Sequence, residues 1–154
     1  MLDTNIFDKL LVDKAGLDVI IKAVKNQKLE TFVTSVQINE INQIQDKIKR
    51  ENLISLITEI SSKKLFVELA PYGYAYGECY GGISPDIAMD DEKFITSNSH
   101  IEDAMIIATA SSKKYLLEYI VTDDKTFTNK IAAQSINIKT CNYSEFINTV
   151  ENIL

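Results

Sequence analysis

Four acidic residues, spread over most of the chain, stand where carboxylates could bind a metal ion. They are Asp3, Glu40, Asp103 and Asp124, with Asp123 beside the last of them. Carboxylates held close together repel one another and raise one another's pKa, and a divalent cation removes that conflict. Because no Cys or His clusters with these acids, the ligands would be oxygen atoms, which favour Mg²⁺ or Mn²⁺ over zinc. Such ions suit phosphodiester chemistry, in which they activate water and neutralise charge on the phosphate.

The elements predicted around these acids place them at one edge of a parallel sheet. Asp3 ends a very short first strand, and the last two acids directly follow a strand predicted at residues 119–122. Ser35 and Ser99 are the predicted caps of the helices that carry the other two acids one turn inside. Since ligands bind at the carboxyl ends of parallel strands, where the following helices begin, all these acids are expected in one crevice.

Helical and strand-like segments alternate along the whole chain. Apolar residues recur at helical spacing over residues 7–26, 36–44, 53–60, 101–110 and 143–153. Short apolar or β-branched runs predict strands at residues 31–34, 64–69, 119–122 and 136–140. Strands separated by helices imply parallel β-α-β units and a sheet covered on both faces, so the predicted fold class is α/β.

Length and composition limit the domain organisation and the setting. The 154 residues are enough for one domain, predicted over residues 1–154. With two distant cysteines and no motif around them, neither a disulfide framework nor a zinc site is indicated, and a reduced, cytoplasmic setting is expected. The apolar runs are far shorter than the roughly 20 residues that span a bilayer, and Asp3 interrupts any signal peptide, so no membrane association is expected.

One segment does not fit the alternation. Residues 71–94 contain both prolines and most glycines of the chain together with four of its seven tyrosines, which predicts a long Gly/Tyr-rich loop or insertion at about residues 70–98. Loops of this length are usually functional or disordered. The tyrosines could stack on unpaired bases or pack as an Ω-loop over the domain, and the sequence leaves both possibilities open.

The four acidic segments together resemble a known family. "MLDTNIF", "TSVQINEI", "EDAMIIATA" and "VTDDKTF", in this order, resemble the four acidic motifs of PIN-domain ribonucleases, especially the VapC-type toxins of bacterial toxin–antitoxin pairs. Carried over by position, the family's acids fall on Asp3, Glu40, Asp103 and Asp124. Many members carry Asp where this chain has Thr126, so the fourth role falls to Asp124 or to Asp123. The family's polar residues that orient the acids fall on Thr4, Asn5 and Thr122.

The resemblance implies a three-layer α/β/α domain with a central, mainly parallel sheet. It also implies endonucleolytic cleavage of RNA with Mg²⁺ or Mn²⁺, a protein antitoxin as inhibitor, and a homodimer. Two alternatives stay open: a non-catalytic RNA- or protein-binding module of this fold, and a DNA-directed nuclease, because the related flap nucleases share the crevice. His100 is either a proton shuttle or a surface residue, and Glu102 either caps its helix or binds metal.

The net charge of −6 weighs against long-range attraction to nucleic acid. Basic residues nevertheless recur at residues 47–50, 63–64 and 113–114, and Lys125 and Lys130 stand beside the last acidic motif. A local basic rim could hold phosphates despite the overall charge. Solvated helix faces and ends are the alternative interpretation of these clusters.

Overall fold

Short parallel strands alternate with longer helices in the computed structural model, which describes residues 1–60, 62–65, 101–112, 115, 117–133 and 138–154. The helices of the described residues are α1 (Thr4–Val12), α2 (Lys14–Lys25), α3 (Ser35–Asn42), α4 (Lys47–Glu59), α5 (Ile101–Ser111), α6 (Lys125–Ala133) and α7 (Tyr143–Ile153). The strands are β1 (Phe32–Thr34), β2 (Lys63–Leu65), β3 (Tyr119–Val121) and β4 (Lys139–Cys141). The protein is thus a mixed α/β protein, as predicted, and mostly helical. Among these helices, none has the length and apolar character needed to cross a membrane.

The helix starts are set by side chains that accept hydrogen bonds from free backbone N–H groups. Asp3 caps α1, and Asp13 ends α1 and caps α2, so the helical pattern predicted over residues 7–26 is divided in two. The prediction that Ser35 caps α3 is wrong, because the cap is Thr34. The Thr34 hydroxyl accepts from the Gln37 N–H at 3.4 Å and the Gln37 side chain accepts from the Thr34 N–H at 2.8 Å, which forms a capping box one residue earlier.

The N-terminal residues join two parallel strand pairs. β1 pairs with β2 and β3 pairs with β4, both in parallel. The Leu2 N–H donates to the Phe32 carbonyl at 3.1 Å on one side, and the Asp3 N–H donates to the Val121 carbonyl at 3.0 Å on the other. Leu2 also forms a parallel bridge with Val121. Residues 1–3 therefore lie between β1 and β3, which brings the end of this segment next to the end of β3.

Two apolar clusters form the core, and neighbouring residues of a strand belong to different clusters. Leu2 and Val121 belong to a cluster with apolar side chains of α1, α2, α3, α4 and α7. Met1 and Ile120 belong to a second cluster with side chains of α5 and α6. Because successive side chains of a strand point to opposite faces, this alternation indicates that the strands are covered on both faces.

Several predictions fall wholly or partly outside the described residues. Of the strand predicted at 64–69, residues 64–65 are described and lie in β2, and of the strand predicted at 136–140, residues 138–140 are described and 139–140 lie in β4. The loop predicted at about 70–98 and the residues Ser99 and His100 lie outside the described residues. The closing helix, in contrast, has the predicted bounds Tyr143–Ile153, since Asn142 and Glu145 form a capping box at its start.

Candidate functional site

Asp3 stands at the centre of a hydrogen-bond network at the carboxyl ends of the strands. Its Oδ1 accepts from the Thr4 N–H at 2.7 Å, which starts α1. Its Oδ2 accepts from the Asn5 side-chain amide at 2.7 Å and from the Thr122 hydroxyl at 2.6 Å. Three donors from two parts of the chain therefore fix the direction of this carboxylate.

Thr122 connects Asp3 to the acidic pair after β3. Its buried hydroxyl accepts from the Asp124 N–H at 3.1 Å and from the Asn5 amide at 3.2 Å while it donates to Asp3. The Asp124 carboxylate turns toward the start of α6, where its Oδ1 accepts from the Thr126 N–H at 2.7 Å and the Phe127 N–H at 3.2 Å. Both hydrogen bonds go to the same oxygen of Asp124, which holds that oxygen at the start of α6.

Glu40 is joined to the same network through Thr4. The Thr4 hydroxyl donates to Oε2 of Glu40 at 2.6 Å, while the N–H of the same residue binds Asp3. Glu40 lies on α3, which begins directly after β1, and this position brings a residue 36 places away in sequence to the start of α1. Thr4 therefore sets the spacing between two acids that come from different elements.

Asp103 lies in the first turn of α5 and pairs with a lysine. The Lys130 ammonium, from α6, donates to Oδ2 of Asp103 at 2.7 Å, and both side chains are partly exposed. A positive charge thus stands at the edge of the acidic cluster, in a pair of residues that lie 27 positions apart in sequence. Lys130 partly compensates the negative charge of this carboxylate.

Asp123 lies next to the cluster but has different partners. Its Oδ1 accepts from the Tyr143 N–H at 2.9 Å, at the start of α7, and its Oδ2 forms an ion pair with Lys9. Burial opposes the ionisation of Asp123, but the Lys9 ammonium and the Tyr143 N–H outweigh it, so the pKa of this carboxyl is lowered. Asp123 therefore ties α1 to α7, whereas the charge of Asp124 contributes to the raised pKa of Asp3.

The pKa values of both Asp3 and Glu40 are raised above the ordinary carboxyl values. Burial is the main cause that raises the pKa of Asp3, and the nearby charges of Asp103 and Asp124 add to it, against the opposing hydrogen bonds from Thr122 and Thr4. Burial also raises the pKa of Glu40, with added contributions from Asp3, Asp103 and Glu102, although the Thr4 hydrogen bond opposes the rise. A cation bound here would relieve both effects.

Comparisons with protein-family models, with characterised proteins and with solved structures find no match to this chain. The chemistry of the site is therefore inferred from its own atoms. The donors are all carboxylate oxygens, which fit a hard divalent cation in type. Within the described residues, no group of three or more acidic, His or Cys side chains is close enough together to hold an ion as it stands. To share one cation, these side chains would have to lie closer together than they do in this structure.

Two groups that support the site carry no strong signal in the sequence. Gln37 is fully buried, and its amide donates to the Leu2 carbonyl at 2.7 Å, which anchors the residue before Asp3 to α3. The pattern Thr-x-x-Gln at residues 34–37 is the capping-box signal that could have found it. Lys9, the partner of Asp123, is an ordinary helix lysine in the sequence, and only the tertiary fold reveals its contact.

Proposed function

We propose that this protein is a metal-dependent endoribonuclease with the three-layer α/β/α arrangement of PIN domains. The observation that carries the proposal is the hydrogen-bond network around Asp3, which joins three separate segments of the chain. Thr4, Asn5 and Thr122 hold its two oxygens, and through them Glu40 and Asp124 are connected to the same point. Apolar clusters on the two sides of the strands support the layered arrangement.

Each residue of the cluster has a proposed role. Asp3, Glu40, Asp103 and Asp124 would hold Mg²⁺ or Mn²⁺, which when bound supplies activation of water and neutralisation of charge on the phosphate. Thr4, Asn5 and Thr122 fix the carboxylates by hydrogen bonds, so that less reorganisation is needed when a cation binds. Lys130, at the edge of the cluster, offers a positive charge to the phosphate of the substrate.

The resemblance extends the proposal to partners. A VapC-type role would make the protein the toxin of a toxin–antitoxin pair, acting on RNA in the cytoplasm, with a protein antitoxin as inhibitor and a homodimer as the working form. These assignments depend on the four sequence motifs, and the hydrogen-bond network is compatible with them. They can be tested separately from the cleavage chemistry.

The experiment compares labelled single-stranded RNA and single-stranded DNA, each with Mn²⁺, with Mg²⁺ and with excess EDTA. We expect cleavage of RNA only with metal, and its loss in Asp103→Asn. Asp18→Asn, an exposed acid on α2, is the matched control and should cleave as the wild type does. Cleavage that persists in excess EDTA would refute the metal-dependent reaction. RNA binding without cleavage would indicate the non-catalytic module, and preferential cutting of DNA would indicate the DNA-directed nuclease.

A further inference from the structure

A polar cavity opens directly beside the acidic cluster. Its volume is about 600 Å³, and it lies between the carboxyl ends of β3 and β4 and the starts of α6 and α7. Thr122 and Asp123 form the wall nearest the acids, so the cavity begins at the same residue whose hydroxyl binds Asp3. Sites for small organic groups have volumes of about 300–1,000 Å³, and this cavity lies within that range.

Four side chains that line the cavity have hydrogen-bonding capacity to spare. These are the side chains of Lys125, Asn129, Thr140 and Ser144, which form no hydrogen bond or ion pair within the described part of the chain. Together they supply one ammonium group, which donates hydrogen bonds, and one amide and two hydroxyl groups, which can both donate and accept them. By contrast, Thr128 and Asn142, which also line the cavity, are already used, the first on the Asp124 carbonyl and the second on the Glu145 N–H.

Among the described lining residues, Asp123 and Glu145 carry carboxylates and Lys125 carries a positive charge, and the Glu145 Oε2 accepts from the Asn142 N–H at 3.1 Å. The Asp123 carboxylate is paired with Lys9 on the α1 side. Burial raises the pKa of the Cys141 thiol to about 11, so this group is neutral at physiological pH and adds no negative charge. Lys125, at the first position of α6, is exposed and adjoins Asp124 in sequence.

We propose that this cavity is the subsite for one unpaired nucleotide next to the phosphate that is cleaved. The proposal rests on the ribonuclease function proposed above. Lys125 contacts the phosphate, and the Asn129 amide with the hydroxyl groups of Thr140 and Ser144 binds the base edge and the ribose hydroxyls. A base can enter only when it is unstacked, so the subsite selects single-stranded RNA. No aromatic side chain is among its described lining residues, so it discriminates by hydrogen bonds and not by stacking.

The test measures binding and cleavage with the same set of variants. Asn129→Ala with Ser144→Ala removes two unused side chains, and Asn152→Ala, an exposed asparagine near the end of α7, is the control. Labelled single-stranded RNA is titrated in EDTA, where cleavage cannot interfere. We expect affinity to fall about 2- to 10-fold for each lost hydrogen bond, with no change in the control. In Mn²⁺, KM should rise more than kcat falls, and the positions of cleavage should become less selective.

A second variant separates the phosphate contact from the base contacts. Lys125→Gln should weaken binding to all sequences alike and reduce the slope of log affinity against log salt by about 1. Melting curves of all variants should match the wild type, because the altered side chains form no hydrogen bond or ion pair within the described residues. Unchanged affinity, KM and cleavage positions in the double variant would overturn the subsite and leave the ribonuclease intact. A wild-type protein that neither binds nor cleaves RNA would instead refute the proposed function, and the subsite with it.

Discussion

Replacing Glu40 by Gln separates the charge of this side chain from its hydrogen bond. Glu40 accepts from the Thr4 hydroxyl at 2.6 Å, and the Gln carbonyl oxygen can accept the same bond. The substitution therefore removes a negative charge from the cluster with little change of shape. A control is Glu59→Gln, which alters an exposed glutamate at the end of α4.

Without metal, the variant should be at least as stable as the wild type at neutral pH. Burial and neighbouring charges raise the pKa of Glu40 above its ordinary value of 4.5, so the folded protein holds this proton more tightly than the unfolded chain. Stability is then lost as the pH rises from 4.5 through the raised value, because ionisation is less favourable in the folded state. Gln removes that loss. The difference between the two proteins should disappear below pH 4.5, where the wild-type carboxyl is also protonated.

With metal, the order should reverse. A ligand at 100 times its Kd stabilises the fold by about 2.7 kcal/mol, which for a chain of this size raises Tm by about 5–11 °C. Loss of a residue that hydrogen-bonds to a metal ligand weakens metal binding about 10- to 100-fold, and loss of a ligand itself should weaken it at least as much. At the same Mn²⁺ concentration, a site that binds 100-fold more weakly stabilises the fold by about 0.4 kcal/mol, which raises Tm by about 1–2 °C.

Melting curves of wild type, Glu40→Gln and Glu59→Gln, each in EDTA and in Mn²⁺ between pH 4 and 8, measure both effects, and cleavage of RNA is recorded on the same samples. We expect Glu40→Gln to lose the Mn²⁺-dependent rise in Tm and at least about 100-fold in cleavage rate. A variant that is destabilised equally in EDTA and Mn²⁺, and still cleaves, would place Glu40 outside the site and refute the reasoning.

Three further changes test the surroundings of the cluster. Lys130→Met should enlarge the Mn²⁺-dependent rise in Tm, because it removes the cation that competes for Asp103, and it should raise KM for RNA. Lys22→Met on α2 is the control, and equal effects of the two substitutions would contradict the role of Lys130. Gln37→Ala should lower the free energy of unfolding by about 1–3 kcal/mol, measured by urea denaturation, since it leaves buried backbone groups without partners. Asp123→Asn should lower Tm at neutral pH but not in acid. The pKa of this carboxyl is lowered on folding, so the stability that its charge contributes is lost as the pH falls below 3.8 through the folded value. Activity assays should show this variant less impaired than variants of the four proposed ligands.

Local patterns predicted the elements well and the long-range contacts poorly. The bounds of α7 could be predicted because Asn142 and Glu145 form its capping box within four residues. The same kind of pattern is present at Thr34 and Gln37, and the predicted cap at Ser35 places the start of α3 one residue late. The pair between Lys130 and Asp103 joins two different helices across 27 positions of sequence, and nothing local distinguishes this lysine from its neighbours.

The choice between Asp123 and Asp124 shows where sequence reasoning ends. The two residues are adjacent and chemically identical, and both follow β3 directly. Their roles diverge because of partners from distant segments: Lys9 and the start of α7 engage the first, whereas Thr122 and the start of α6 orient the second. A motif can therefore place an acid at the correct strand end without showing which way its carboxylate points.

Thr122 links the acidic cluster to the cavity beside it. Its hydroxyl donates to Asp3 and accepts from the Asp124 N–H, and the same residue forms part of the cavity wall. A nucleotide bound in the cavity would rest against the residue that fixes the direction of Asp3, so substrate position and carboxylate position are set by one side chain. In the proposed subsite, a few directed contacts would hold RNA even though the net charge of −6 provides no long-range attraction.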